Sequence, residues 1–121
     1  EHEARVSLHN QESGLVVMAE QLRKKSCARN IIIKLAEAGA LLHFSNNSKT
    51  IYHTDRIPAL NPSPVDISGA GDSMLIASGL TLASKGNIWM AAAIGSVAAG
   101  IQVSKTGNNP VSYKDLIKHL V

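Results

Sequence analysis

Between Asn61 and Gly86 the chain runs NPSPVDISGAGDSMLIASGLTLASKG, and this stretch restricts the fold more than any other. Two prolines close a polar loop, Gly69 and Gly71 flank a single alanine, and an apolar run follows. That order hands a loop directly to a helix, predicted over Ala70 to Lys85, with Gly86-Asn87 as stop and restart. NIWMAAAIGSVAAGIQV is a second helix, rich in Ala and Gly and predicted to pack closely on both sides. SKTGNNP reads as a loop. SYKDLIKHL reads as a terminal helix with Ser112 as its cap and Asp115 in its first turn.

Upstream, EHEARVSLHN predicts a short helix and SGLVVMAEQLRKKS a longer one capped by Ser13, with Leu15, Val16, Ala19 and Leu22 at helical spacing. NIIIKL, bounded by Asn30 and ending near Gly39, reads as a buried strand of the kind found in a parallel sheet. GALLHFSNNSKTIYHTDRI alternates around Asn46-Asn47-Ser48, which signals a hairpin. Helices alternating with a sheet make this an α/β fold. At 121 residues the chain has room for one small domain with a core.

Charge and composition exclude several functions. The net charge of +3 suits anionic ligands, but aromatics are only 3%, too few for a base-stacking nucleic-acid binder. Arg23-Lys24-Lys25, with Arg29 and Lys34 beyond, is expected to be a solvated helix end. The single cysteine, Cys27, excludes an internal disulfide, and a buried or inert thiol is favoured over a reactive one. No apolar run approaches the ~20 residues of a membrane span, so no membrane partner is expected and the cytoplasm is the expected location. The chain opens on a charged helical segment without an initiator Met, which reads as a fragment or processed product.

The glycine turn raises a chemical question. A helix start offers unpaired N–H groups and a partial positive charge, and with Gly69, Ala70 and Gly71 nothing bulky blocks an anion from resting there. Asp72 then adds a carboxylate beside the same space. Two negative groups so close suit phosphoryl transfer: Asp72 takes a proton from an attacking hydroxyl while the N–H groups hold the charge on the phosphoryl oxygens. On spacing alone a structural role is as good, because an Asp in the first turn complements the helix dipole and Gly-Ala-Gly permits tight packing.

At these residues VDISGAGDSM resembles the D-T-x-G-A-G-D signature of the ribokinase-like (PfkB) carbohydrate kinases. IIIKLAEAGALL is similar to the strand and turn that carry the nucleotide in that family, and AAGIQVSKTGNNPVS to its late helix and following loop. EHEA resembles the end of the family's N-x-x-E motif. The resemblance runs through essentially the whole chain and implies the C-terminal, nucleotide-side half (1–121) of a three-layer α/β/α kinase domain, lacking the sugar-binding half and lid. It implies an ATP-dependent kinase of a sugar or sugar phosphate, inactive in this piece alone. Asp72 would be the base, and the backbone of Gly69, Ala70 and Gly71 the anion hole. Lys34, Ala36 and Gly39 would lie along the nucleotide, with Ser96 and Gly100 bordering the adenine. Asp66 would help to hold a potassium-like ion with carbonyls from the Val103 to Gly107 loop, and Glu3 would act through water on Mg²⁺. The expected partner is the missing half or a second copy. L-x-E-x-G at Leu35 to Gly39, the D-I-S-G-A-G-D form and GIQVSKTG are most similar to the heptose-7-phosphate kinase branch, with fructokinase-like, ribokinase-like and nucleoside-kinase relatives left open.

Some residues depart from the family. Lys34 stands where Thr is common, and it either contacts phosphate or ends a strand. Ala36 stands where Gly is common, Ser96 where Asn or His is common, and Met74 replaces a frequent Phe. The five histidines show no pair at metal-ligand spacing, although His43 and His53 could face each other across the hairpin; surface or hairpin-flank positions are expected for them. Ser68 and Ser73 flank the turn without forming a G-x-S-x-G elbow. A kinase-derived module that binds nucleotide or protein without turnover is the alternative.

Overall fold

The computed structural model describes residues 1–45 and 51–121. They gather into two compact units, Glu1–Ile57 and Pro58–Val121, where the length predicts a single core.

The first unit holds α1 (His2–Leu8), α2 (Leu15–Ser26), β1 (Asn30–Lys34), a 3₁₀ turn (Ala36–Ala38), β2 (Ala40–Phe44) and β3 (His53–Ile57). The sheet order is β1-β2-β3 and both pairings are antiparallel, with Ile33 opposite Leu41 and Ala40 opposite Ile57. The expected parallel strand is therefore paired differently among the described residues. Residues 35–39 form a tight connection, and a parallel partner would need a crossover of a dozen residues or more. The hairpin is present as β2 and β3; its proposed turn at Asn46-Asn47-Ser48 lies outside the described residues.

Met18, Ala19, Ile33, Leu35 and Leu41 form the core of this unit, with Leu15 and Leu22 partly buried against it. Positions 15, 18, 19 and 22 follow the helical repeat, so Val16 of the expected stripe turns outward and Met18 replaces it. Ser13 does not cap α2. Its hydroxyl accepts from Asn10 Nδ2 at 2.7 Å, and Gly14 occupies the cap without a side-chain bond. Cys27 is exposed rather than buried, at the left-handed residue that ends α2 (φ 55°). His43 also departs from expectation. The register sets it opposite Thr54, and sets Phe44 opposite His53. It is buried, with Nδ1 2.8 Å from Thr54 Oγ1 and Nε2 2.8 Å from Glu20 Oε2.

The second unit holds α3 (Ala70–Ala83), α4 (Ile88–Val103) and α5 (Tyr113–Leu120). Asn87 caps α4, its side chain accepting from Met90 N at 2.9 Å, and Ser112 with Asp115 completes a capping box on α5. The small residues of α4 serve one crossing with α3. A Cβ on Gly95 would run into Ser78 Oγ and come within 3.1 Å of the Met74 carbonyl, and Ser78 Oγ donates to Ala91 O at 2.9 Å. The other face of α4 is not packed as expected: Trp89 and Met90 are 41% and 52% exposed.

Candidate active site

In the second unit the loop before α3 is tied to the far end of α4. The N–H groups of Val65 and Asp66 both donate to Val103 O, at 2.7 and 3.2 Å. Asp66 Oδ1 accepts from Ser68 N and Oδ2 from Gly107 N, each at 2.9 Å. These backbone donors, Ser68 foremost, hold the Asp66 carboxyl below the usual aspartate range.

Gly69 opens α3 at φ 75°, in the left-handed region, and a Cβ there would run into Asn108 Oδ1. Both facts demand glycine. Gly69 O accepts from Ser73 N at 2.9 Å, the first bond of the helix, and Ala70 N donates to Ile67 O at 3.3 Å. Of the three residues expected to form the anion hole, Ala70 thus has its N–H engaged. The N–H groups of Gly71 and Asp72 have no protein partner among the described residues. The Asp72 side chain is exposed and forms no ion pair among them. A carboxylate and free donors therefore share the first turn of a 14-residue helix. That turn can hold an anion and accept a proton beside it.

Asp66, the 69–72 turn, Val103 and Gly107 are brought together by these bonds. Ser96 and Gly100 lie half-buried on α4, and Gly100 O accepts from Asn61 Nδ2 at 3.2 Å. Glu3, Lys34, Ala36 and Gly39 belong to the first unit. Lys34 Nζ lies 3.3 Å from Glu3 Oε2, and Lys34 ends β1. Ala36 sits at φ 52° and Gly39 at φ 85° in a turn closed by Leu35 N donating to Gly39 O at 2.8 Å. An alanine held in the left-handed region occupies a glycine-type conformation, costing roughly 1–2 kcal/mol.

Sequence reasoning missed Gln102. It is 1% exposed, and its Nε2 donates to Ser68 O and Gly107 O, both at 3.2 Å, while Ser73 Oγ lies 3.5 Å from Oε1. The available signal was a lone amide inside the apolar run AAGIQV. Of the oxygens expected to face a potassium-like ion, those of Asp66 and the carbonyls of Val103 and Gly107 meet N–H donors. Among the described residues no three His, Cys, Asp or Glu side chains gather as a metal site, and no helix is long and apolar enough to cross a membrane.

Comparison with known proteins follows the same residues. The family described as "pfkB family carbohydrate kinase" matches residues 1–114. The "Bifunctional protein HldE" of a Shewanella species and that of Shewanella baltica are each 32% identical over 120 residues, covering 99% of this chain and 24% of theirs. Phosphofructokinase-2 from Escherichia coli in complex with potassium superposes with a TM-score of 0.80 at 21% identity, over 98% of this chain and 37% of that one. Ribokinase from Thermotoga maritima gives a TM-score of 0.77 at 24% identity, over 99% and 38%. At such identities these structures establish a ribokinase-like α/β fold, of which this chain spans a part.

Proposed function

The chain belongs to the pfkB family of carbohydrate kinases, and from that premise we propose that it is the nucleotide-side half of an ATP-dependent sugar kinase. The observation that carries the reading is the exposed Asp72 carboxylate beside the N–H groups of Gly71 and Asp72, which have no partner among the described residues, at the start of α3. In this reading Asp72 removes the proton of the acceptor hydroxyl. The donors of the 69–72 turn take up charge on the phosphoryl oxygens as they pass from ATP to the sugar. Within the second unit, Ser96 and Gly100 would border the adenine in this reading. Glu3, an exposed carboxylate of the first unit, would act through water on Mg²⁺. No step is assigned to potassium; Asp66, Val103 O and Gly107 O each accept N–H bonds. The L-x-E-x-G and GIQVSKTG segments favour a heptose phosphate as acceptor.

Asp72→Asn is the test, made in the full-length protein that carries these residues. Turnover should fall by about 10²- to 10⁴-fold, the usual worth of a general base, while ATP affinity stays unchanged. Normal turnover in that variant would overturn the assignment. The second reading is a nucleotide- or protein-binding module without turnover. Nucleotide-dependent stabilisation with no phosphate transfer, even in the full-length protein, would favour it.

A further inference from the structure

Gln102 lies buried between two loops of the second unit. A primary amide carries two N–H hydrogens and cannot be deprotonated at neutral pH. Both hydrogens of Gln102 are used on carbonyls, those of Ser68 and Gly107 at 3.2 Å, in a side chain that is 1% exposed. These carbonyls belong to two different loops. Ser68 immediately precedes the glycine that opens α3, and Gly107 donates its own N–H to Asp66 at 2.9 Å. Two carbonyl dipoles converging on one buried point need positive charge between them, from N–H donors or from a weakly hydrated cation.

We infer that the Gln102 amide stands in for a monovalent cation at the junction of the 65–69 and 103–107 loops, so that these loops are ordered without potassium. The inference borrows the location of the site from the kinase reading, but it is tested through stability and stands or falls separately. Three observations carry it. The Asp66 carboxylate is already bonded through both oxygens to backbone N–H groups. Val103 O already receives two N–H bonds. The amide bridges the carbonyls of Ser68 and Gly107 from a position inside α4, where an apolar residue would remove both donors.

The experiment is thermal unfolding of the full chain in potassium chloride and in choline chloride at equal ionic strength. The parent should melt at the same temperature in both salts, and a potassium-specific rise would overturn the inference. Gln102→Ala removes the donors and opens space, and it should melt lower in choline while gaining about 3 °C or more from potassium. Equal melting of that variant in both salts would reduce Gln102 to a packing role and overturn the inference. If Gln102→Ala fails to fold, Gln102→Glu replaces the amide nitrogen with a third oxygen. Potassium should then stabilise it selectively, and no selectivity would again be fatal. Activity enters none of these outcomes, so a failed Asp72→Asn test would leave them intact.

Discussion

Glu20 and His43 link α2 to the sheet of the first unit, and their chemistry is set by three neighbours. The guanidinium of Arg23 forks onto the Glu20 carboxylate with both contacts at 2.8 Å, and it also lies 4.1 Å over the Tyr52 ring. That hydrogen bond first, and the one from His43 second, lowers Glu20 to a pKa of about 2. An ionised Glu20 accepts from His43 Nε2–H, and His43 Nδ1 lies 2.8 Å from the Thr54 hydroxyl. Because the folded pKa lies below the unfolded value of 4.5, the stabilisation is complete above pH 4.5 and is lost as pH falls towards 2. We expect the melting temperature to drop across that window, and Glu20→Gln to flatten part of the drop. Asp66 and Asp115 are shifted in the same direction and account for acid sensitivity that remains. A Glu20→Gln profile identical to the parent's would refute the linkage. Residues with a local signature, such as Ser112 and Asp115, were legible in the sequence because a cap needs only neighbours. His43 and Gln102 were not, since their partners lie 23 and 34 residues away.

At the scale of elements, the helices were legible from apolar spacing and from stops such as Gly86-Asn87. The strand pairing was not, because a short β-branched run looks alike in parallel and antiparallel sheets. Nor was the one-sided burial of α4, where alanine gives no sign of which face is covered. What the Ala- and Gly-rich composition of α4 did convey is the closeness of its crossing with α3. Gly95 is the contact point, and adding a methyl there must displace Ser78 Oγ, which breaks its 2.9 Å bond to Ala91 O. The Met74 carbonyl, 3.1 Å from the new Cβ, cannot swing away as a side chain can. Overpacking of this kind costs about 1–3 kcal/mol. Gly95→Ala should therefore lower the urea midpoint despite alanine's better helix propensity, and Ser78→Ala added to it should recover part of the loss. A neutral or stabilising Gly95→Ala would mean that the two helices can separate without penalty.

For the whole molecule, length alone predicted one core, whereas the described residues form two compact units. Apolar composition states how much surface can be buried, and it is silent on how that surface is partitioned. It is equally silent on what stays uncovered. Leu75, Ile76 and Leu80 of α3 are 71%, 64% and 64% exposed, and at 100° per residue they fall within an arc of about 140°. Clustered apolar side chains on one helix face mark an interaction surface more often than a solvated one. The chain also spans only 37% of the phosphofructokinase-2 chain on which it superposes, so a kinase of that size has more polypeptide with which to cover such a face. Two behaviours follow for the 121 residues purified alone. Sedimentation should give an average mass that rises with concentration above 12.8 kDa. Ile76→Gln with Leu80→Gln should return it towards that value, because these changes remove apolar area without touching Asp72 or the glycine turn. A polypeptide carrying the remainder of the kinase domain should compete with the self-association and confer sugar phosphorylation. A parent chain that stays at 12.8 kDa at every concentration would show that the face needs no cover. Phosphate transfer by that monomer would overturn its assignment as half of a kinase.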